Sequence, residues 1–222
     1  MKKYLTEFIG TFFLVLTICM TVLNGTPMAP LAIGASLVMM VYMGGHISGA
    51  HYNPAVSLAF LMRGRMPASD FVPYLLAQAL GSIGAAAIAF WIMGRSFAPA
   101  PAAGTPALAA LMVEFLFTFA LCLVVLNVAA SKRTQGNSYY GLAIGFTIVA
   151  ATWAGGGVSG GVFNPAVGTG PTLVNALTTH GTMNHWWLYL VGPFLGGVAA
   201  AGVFGMQESE VDGVVGKLAG KR

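Results

Sequence analysis

The sequence contains two copies of a twelve-residue pattern, and this duplication constrains the fold more than any other feature. The copies G-H-I-S-G-A-H-Y-N-P-A-V at 45–56 and G-G-V-S-G-G-V-F-N-P-A-V at 156–167 align without gaps. A shorter pattern, E-F-x-x-T-F, occurs at 7–12 and again at 114–119. Two matches at corresponding places in each half indicate an internal repeat of about half the chain.

The chain is too apolar for a water-soluble domain. Only 7% of its residues are charged, whereas an average soluble domain carries about 25%. An apolar segment of about 20 residues can cross a bilayer, and the sequence suggests six such spans. We place them near 4–23, 31–45, 71–93, 107–130, 139–156 and 185–205. The first is interpreted as a span and not as a signal peptide, because it is long and lacks a small-residue cleavage pattern.

The repeat and the basic residues together predict how the chain lies in the membrane. Each half contains three spans, an odd number, so the halves must have opposite orientations and form an inverted repeat. Lysine and arginine concentrate on cytoplasmic loops. With the N-terminus inside, nine of the ten fall there: Lys2, Lys3, Arg63, Arg65, Lys132, Arg133, Lys217, Lys221 and Arg222. We expect both termini in the cytoplasm, in the plasma (inner) membrane.

This arrangement predicts one transmembrane channel domain, 1–222. Its pseudo-repeats are expected over about 1–105 and 106–206, with a cytoplasmic tail over about 207–222. The net charge of +4 is scattered over the loops, so no nucleic-acid partner is expected.

Each Asn-Pro-Ala triplet is typical of a helix start, since Asn is a favoured N-cap and Pro a favoured first residue. After Asn53 we predict a helix over 54–62, roughly 14 Å long and half a bilayer core. After Asn164 we predict a similar helix that ends before Thr178. Two such half-helices of opposite orientation can meet at the membrane midplane. Their dipoles would repel cations there, and the two Asn NH2 groups would hold a passing solute.

Two carboxylates recur at matching places inside the first span of each half. Intramembrane Glu7 and Glu114 are functional candidates by default. The favoured interpretation is structural, with each accepting N–H groups from the irregular loop before the half-helix of its own half. A proton-coupling role is the alternative.

These residues resemble the aquaporin (major intrinsic protein) family over essentially the whole chain. The resemblance rests on E-F-x-x-T-F twice, on G-H-I-S-G-A-H-x-N-P-A-V, and on the second N-P-A. It implies an all-α integral membrane fold, an aquaporin-like right-handed bundle of six transmembrane helices and two re-entrant half-helices. It also implies a homotetramer with one pore in each protomer. The implied pore motifs are Asn53, Pro54, Ala55, Asn164, Pro165 and Ala166, and the implied pore carbonyls are those of Gly49, Ala50, His51, Gly160, Gly161 and Val162.

The resemblance places a four-residue selectivity filter at Ile33, Thr152, Gly161 and Val167. Here the sequence departs from the family, which usually has Arg at the position of Val167 and an aromatic residue at that of Ile33. Water-specific members have His at the position of Thr152. A filter of small, mostly apolar residues predicts a wider pore, unless the ring of Trp153 turns inward and narrows it.

We therefore expect a passive channel for water and small uncharged solutes: glycerol, urea, ammonia or neutral metalloid acids. The alternative is an ion- or proton-coupled secondary transporter that uses Glu7 or Glu114. An enzyme is not expected, because no catalytic, cofactor-binding or metal-binding set converges in this sequence. The expected partners are the solutes, water and the lipid bilayer.

Overall fold

The computed structural model describes the backbone of residues 1–219 and side chains as far as Glu208. Eight α-helices lie within these described residues: α1 (Lys2–Asn24), α2 (Ala29–Ser48), α3 (Pro54–Met62), α4 (Ala68–Met93), α5 (Ala107–Val125), α6 (Tyr140–Ser159), α7 (Pro165–Thr179) and α8 (Leu188–Ala219). A π-helical stretch, Leu126–Ala130, continues α5, and a short 3₁₀ turn at Lys132–Thr134 follows it.

Six helical segments in the described chain are long and apolar enough to cross a membrane. They comprise α1, α2, α4, α5 with its π-helical extension, α6 and the first part of α8. The two remaining helices, α3 and α7, each follow one Asn-Pro-Ala triplet. This confirms the predicted all-helical membrane fold with six spans and two shorter helices.

The second short helix is longer than expected. Helix α3 ends at Met62, as predicted, but α7 runs past Thr178 and ends at Thr179, giving 15 residues. Both threonines lie in the last turn of α7, where each hydroxyl bonds the carbonyl four residues back: Thr178 Oγ1 to Val174 O at 2.7 Å and Thr179 Oγ1 to Asn175 O at 2.9 Å. A helix of this length is about 22 Å long.

The last helix also passes its expected boundary. Helix α8 continues to Ala219, so most of the expected tail, 207–222, is a continuation of that helix. Residues 220–222 of this tail lie outside the described part of the chain.

The two halves interlock through their short helices. Helix α3 packs against α8, the third span of the other half, and α7 packs against α4 in the corresponding way. Within each half, the first span packs against the third, as α1 against α4 and α5 against α8. The halves also meet along α2 and α6. Each short helix is therefore held by a span that its own half does not supply.

Glycines allow the closest of these helix contacts. A Cβ on Gly34 of α2 would lie 2.6 Å from Gly145 O of α6, and a Cβ on Gly145 would lie 2.5 Å from Gly34 O. Small residues let backbones approach closely in membrane bundles, where dispersion contacts drive helix packing. The α2–α6 seam therefore brings the two halves together along a narrow line.

Candidate functional site

The two Asn-Pro-Ala triplets begin helices that meet inside the bundle. The side chain of Asn53 caps α3 by accepting a hydrogen bond from Ala55 N at 2.8 Å, and Asn164 caps α7 by accepting from Ala166 N at 2.9 Å. Both asparagines have the extended backbone that an N-cap requires. The amide oxygens are thereby used within each half.

The amide nitrogens tie the halves to each other. Asn53 Nδ2 donates to Phe163 O, and Asn164 Nδ2 donates to Tyr52 O, both at 2.9 Å. Each amide nitrogen carries two hydrogens. Both asparagines border the same cavity. The second N–H of each therefore remains for a molecule inside that cavity.

The segments that lead into these caps have an unusual backbone. Gly49 and Gly160 end α2 and α6 with φ of 85° and 93°, and the non-glycine residues Ala50, Tyr52 and Phe163 also have positive φ. L-residues avoid this region, so such a run persists only where surrounding contacts fix it. The conformational energy of these positive-φ residues has to be offset by contacts that fix the two segments.

Glu7 and Glu114 fix the two segments from behind. Both carboxylates are fully buried. Glu7 accepts from Ser48 Oγ, from the backbone N–H groups of His51 and Tyr52 and from Gln78 Nε2, at 2.7 to 2.9 Å. Glu114 accepts from Ser159 Oγ and from the N–H groups of Val162 and Phe163, at 2.6 to 3.0 Å.

Two tyrosines complete this support, and the sequence analysis did not find them. Tyr74 donates to Ser48 O and Tyr189 donates to Ser159 O, each at 2.7 Å. The two tyrosines stand 115 residues apart, whereas the motif offset is 111. An alignment of the third spans with a four-residue insertion would have paired them.

The first half has an additional polar network around His51. Its Nδ1 lies 3.0 Å from Ser57 Oγ, and Gln78 Nε2 donates to the same hydroxyl at 3.0 Å. The ring also lies 4.4 Å from that of Phe60 and 5.2 Å from that of Tyr74, measured between centroids. His51 is thus held on several sides while it borders the cavity.

The cavity has a volume of about 600 Å³ and extends from the two asparagines toward the end of the bundle opposite the N-terminus. All four positions expected in the filter border it: Ile33, Thr152, Gly161 and Val167. Five of the six expected carbonyl residues border it too: Ala50, His51, Gly160, Gly161 and Val162. Trp153 borders it as well and is 55% exposed.

The sixth expected carbonyl residue, Gly49, lies elsewhere. It borders a second cavity of about 570 Å³ together with His46, Phe60 and the connection between α5 and α6. That connection lies at the end of the bundle that carries the N-terminus. The two cavities therefore lie on opposite sides of the asparagine pair, as the two mouths of a path through the bundle would.

The first cavity is neutral. Among the described residues, no Asp, Glu, Lys or Arg borders it. The same part of the chain holds no group of three or more His, Cys, Asp or Glu residues that could bind a metal ion. Backbone groups of the re-entrant segments, one threonine hydroxyl, two amides, the imidazole of His51 and many apolar side chains suit small molecules without net charge.

Comparison with known proteins agrees with this geometry. Residues 1–204 match the family model described as major intrinsic protein. The chain is 36% identical to aquaporin NIP1-4 of Oryza sativa subsp. japonica, over 93% of this chain and 77% of that protein. It is also 36% identical to nodulin-26 of Glycine max, over 92% and 77%. The X-ray structure of the aquaglyceroporin from Plasmodium falciparum shares the fold with a TM-score of 0.81 at 20% identity, covering 91% of this chain and 94% of that one.

Proposed function

Since the chain belongs to the major intrinsic protein family, whose members are membrane channels and not enzymes, we propose that it forms a channel. We propose further that its pore is wider than the pore of a channel that passes water alone. Its solutes are water and small uncharged molecules such as glycerol, urea, ammonia or undissociated metalloid acids. The single observation that carries this proposal is Val167, a short apolar side chain at the cavity wall.

The wall around Val167 supports a wide opening. Ile33 is branched but aliphatic, Thr152 is small, and Gly161 has no side chain. Among the described residues, no lysine or arginine side chain borders this cavity. A solute with carbon atoms can therefore lie against the apolar wall while its polar edge meets the backbone of the re-entrant segments.

Cations are excluded by a separate feature. Helices α3 and α7 both point their N-termini at the asparagine pair. A helix N-terminus carries about half a positive charge. Two of them at the narrow centre of a neutral path oppose the entry of a cation or hydronium, whereas a neutral solute is unaffected.

The contacts of the two buried carboxylates do not favour coupled transport. Glu7 and Glu114 are fully enclosed by donors, and neither borders the described cavity. A coupling site has to exchange protons with the path. We propose instead that both residues support the re-entrant segments. We also propose that the protein is a homotetramer with one pore per protomer. It lies in the plasma (inner) membrane with both termini on the cytoplasmic side.

The test is a permeability comparison between wild type and Val167→Arg in proteoliposomes, using stopped-flow light scattering with water, urea and glycerol. We expect wild type to pass all three. The arginine variant should lose glycerol by about tenfold or more, since small changes in pocket size alter discrimination by such factors, and should keep water.

Val167→Met is the matched control, because methionine has length without charge. If it loses glycerol as fully as the arginine variant, length alone restores the filter. A wild-type protein that passes only water contradicts the proposal.

A further inference from the structure

The two cavities along the path differ in charge. The first cavity, at the filter positions, is bordered by no described Asp, Glu, Lys or Arg. The second, which we term the inner cavity, has a volume of about 570 Å³ and is bordered by Lys132 and His46. No Asp or Glu is found among the described residues that border the inner cavity. Ile144 borders both cavities, so the inner cavity adjoins the rest of the path.

The charge of Lys132 is not neutralised by any carboxylate in the described part of the chain. Two of the described carboxylates hold the re-entrant segments. The others, Asp70 and Glu208, form ion pairs with Lys3 and Arg65. A cleft lined by charge of one sign concentrates ions of the opposite sign. The inner cavity is therefore a place where an anion gathers.

Neutral hydrogen-bonding side chains surround this charge. Ser131, Thr134, Gln135 and Asn137 all border the inner cavity. The Ser131 hydroxyl accepts from Arg133 N at 3.4 Å, which leaves its own hydrogen for another acceptor. The carboxamide of Gln135 adds two further N–H donors to the same wall. Lysine and these donors together form the surroundings that an oxyanion requires.

The wall that carries Lys132 is held in one shape. Tyr42 Oη donates to Ser138 O at 2.9 Å, which ties the wall to α2. Asn137 Nδ2 donates to Val128 O at 2.8 Å, which ties it to the end of α5. Because these bonds fix the wall before a ligand arrives, binding costs less ordering of the chain.

A phosphate group matches this site better than a carboxylate does. Lysine binds phosphate as a point charge. A phosphate group presents more oxygens and more negative charge than a carboxylate, and several donors border the inner cavity. The volume of the inner cavity lies within the range of about 300–1,000 Å³ that small-molecule sites have. The neutral first cavity offers an anion no charged partner, so the group stays at the inner mouth.

We propose that the inner cavity binds a phosphate group, free or carried by a lipid headgroup, and that Lys132 is its principal charged contact. The bound group occupies the inner mouth and lowers permeability. This inference rests on the proposed channel function but not on the width of the filter, because water passes through the same inner mouth.

The test measures water permeability of proteoliposomes of zwitterionic lipid, with sodium phosphate or sodium chloride at equal ionic strength on both sides. Phosphate should lower the permeability. Lys132→Gln should raise the phosphate concentration for half inhibition by about tenfold, the equivalent of one hydrogen bond to a charged group. Lys132→Arg keeps the charge and should stay close to wild type. Lys2→Gln is the matched control, since Lys2 is an exposed lysine that does not border the inner cavity.

A second series identifies the source of the phosphate group. It uses vesicles that contain anionic phosphatidylglycerol and no free phosphate. Binding of a headgroup predicts a lower permeability in these vesicles, relieved by Lys132→Gln. Binding of free phosphate predicts no effect of the lipid.

Hydrogen exchange in nanodiscs measures binding independently of flux. Inorganic phosphate should slow exchange of the amides of 131–138 in wild type and not in Lys132→Gln. The proposal is overturned if neither phosphate nor the anionic lipid changes permeability or exchange, or if Lys2→Gln acts as Lys132→Gln does. Slower exchange without a loss of permeability supports the site and overturns its effect on flux. A protein that conducts no solute refutes the proposed function. Slower exchange would still support the site in that case, and unchanged exchange would overturn it.

Discussion

Glu114 has one donor fewer than Glu7, because the second half lacks a residue equivalent to Gln78 in its contacts. Three donors therefore hold the second re-entrant segment through one carboxylate. Hydrogen bonds to a charged group contribute about 1.5–3 kcal/mol each. Glu114 is consequently the residue at which a small chemical change has a large structural effect.

We expect Glu114→Gln to lower the free energy of unfolding by about 1–3 kcal/mol, because the new NH2 group faces an N–H donor and leaves it unpaired. Thermal unfolding in detergent with a thiol-reactive dye measures this directly, since Cys19 and Cys122 are both buried and free. Glu208→Gln is the control: it removes a surface ion pair with Arg65 at 3.1 Å, which contributes about 0–1 kcal/mol. Equal melting temperatures for the two variants would contradict the supporting role.

A substitution at Gly160 is also expected to destabilise the fold. Its φ is 93°, and an added Cβ would lie 2.8 Å from Ala100 O and 3.0 Å from Tyr189 Oη. We expect Gly160→Ala to destabilise the fold by about 1–3 kcal/mol, the usual cost of a strained backbone residue, and to reduce permeability. Gly157→Ala is the control, because nothing lies within 4 Å of its added Cβ. Indistinguishable thermal stability of the two variants would show that Ala100, in the connection between α4 and α5, does not press on this segment.

At the level of elements, side chains of the connection between α5 and α6 donate hydrogen bonds to the irregular end of α5. The π-helical stretch Leu126–Ala130 leaves carbonyls without their regular partners. Thr134 Oγ1 donates to Asn127 O at 2.5 Å, and Asn137 Nδ2 donates to Val128 O at 2.8 Å. The connection is thus bonded to the helix end that it follows, and both border the cavity on the N-terminal side.

Asn137→Ala removes the bonds to Val128 O and to Thr134 O. We expect the amides of 131–138 to exchange hydrogen faster by about tenfold, the equivalent of one net hydrogen bond. Hydrogen-exchange mass spectrometry in nanodiscs provides the measurement. Gln135→Ala, on the same exposed connection, is the control and should leave exchange unchanged. The prediction fails if both variants exchange alike.

The elements also show what could be predicted from the sequence. The start and end of α3 were predicted to the residue, because Asn53 and Pro54 have strong local preferences and an Arg-Gly-Arg run follows. The predicted end of α7 was wrong by two residues, because Thr178 and Thr179 stay in the helix in spite of the weak helix preference of threonine. Residues 97–100, in the connection between α4 and α5, border the cavity. They were missed because they carry no motif, and no local pattern indicates where a loop folds.

On the scale of the whole molecule, the path has two cavities, one on each side of the asparagine pair. An alternating-access transporter has to move one half against the other. Here each short helix packs on a span of the opposite half, and two hydrogen bonds cross between the halves. These contacts between the halves favour a channel over a transporter whose halves rock against each other.

We therefore expect glycerol flux in proteoliposomes to depend only on the glycerol gradient. Imposed pH gradients and a protonophore should leave the rate constant unchanged, and influx should equal efflux. Radiolabelled uptake with and without the protonophore measures this, with protein-free liposomes as the background. Accumulation of glycerol above its external concentration under a pH gradient would contradict a channel.

The crossed asparagine bonds also have a consequence for biosynthesis. The partner of Asn53 is Phe163, 110 residues later in the chain, and α3 packs on α8, which follows the second Asn-Pro-Ala triplet. A nine-residue helix cannot span a bilayer, and its irregular approach segment cannot face lipid. The first re-entrant segment therefore cannot take its final place until α8 is inserted. We expect the two re-entrant segments to settle together, late in insertion, so that the path forms in one step.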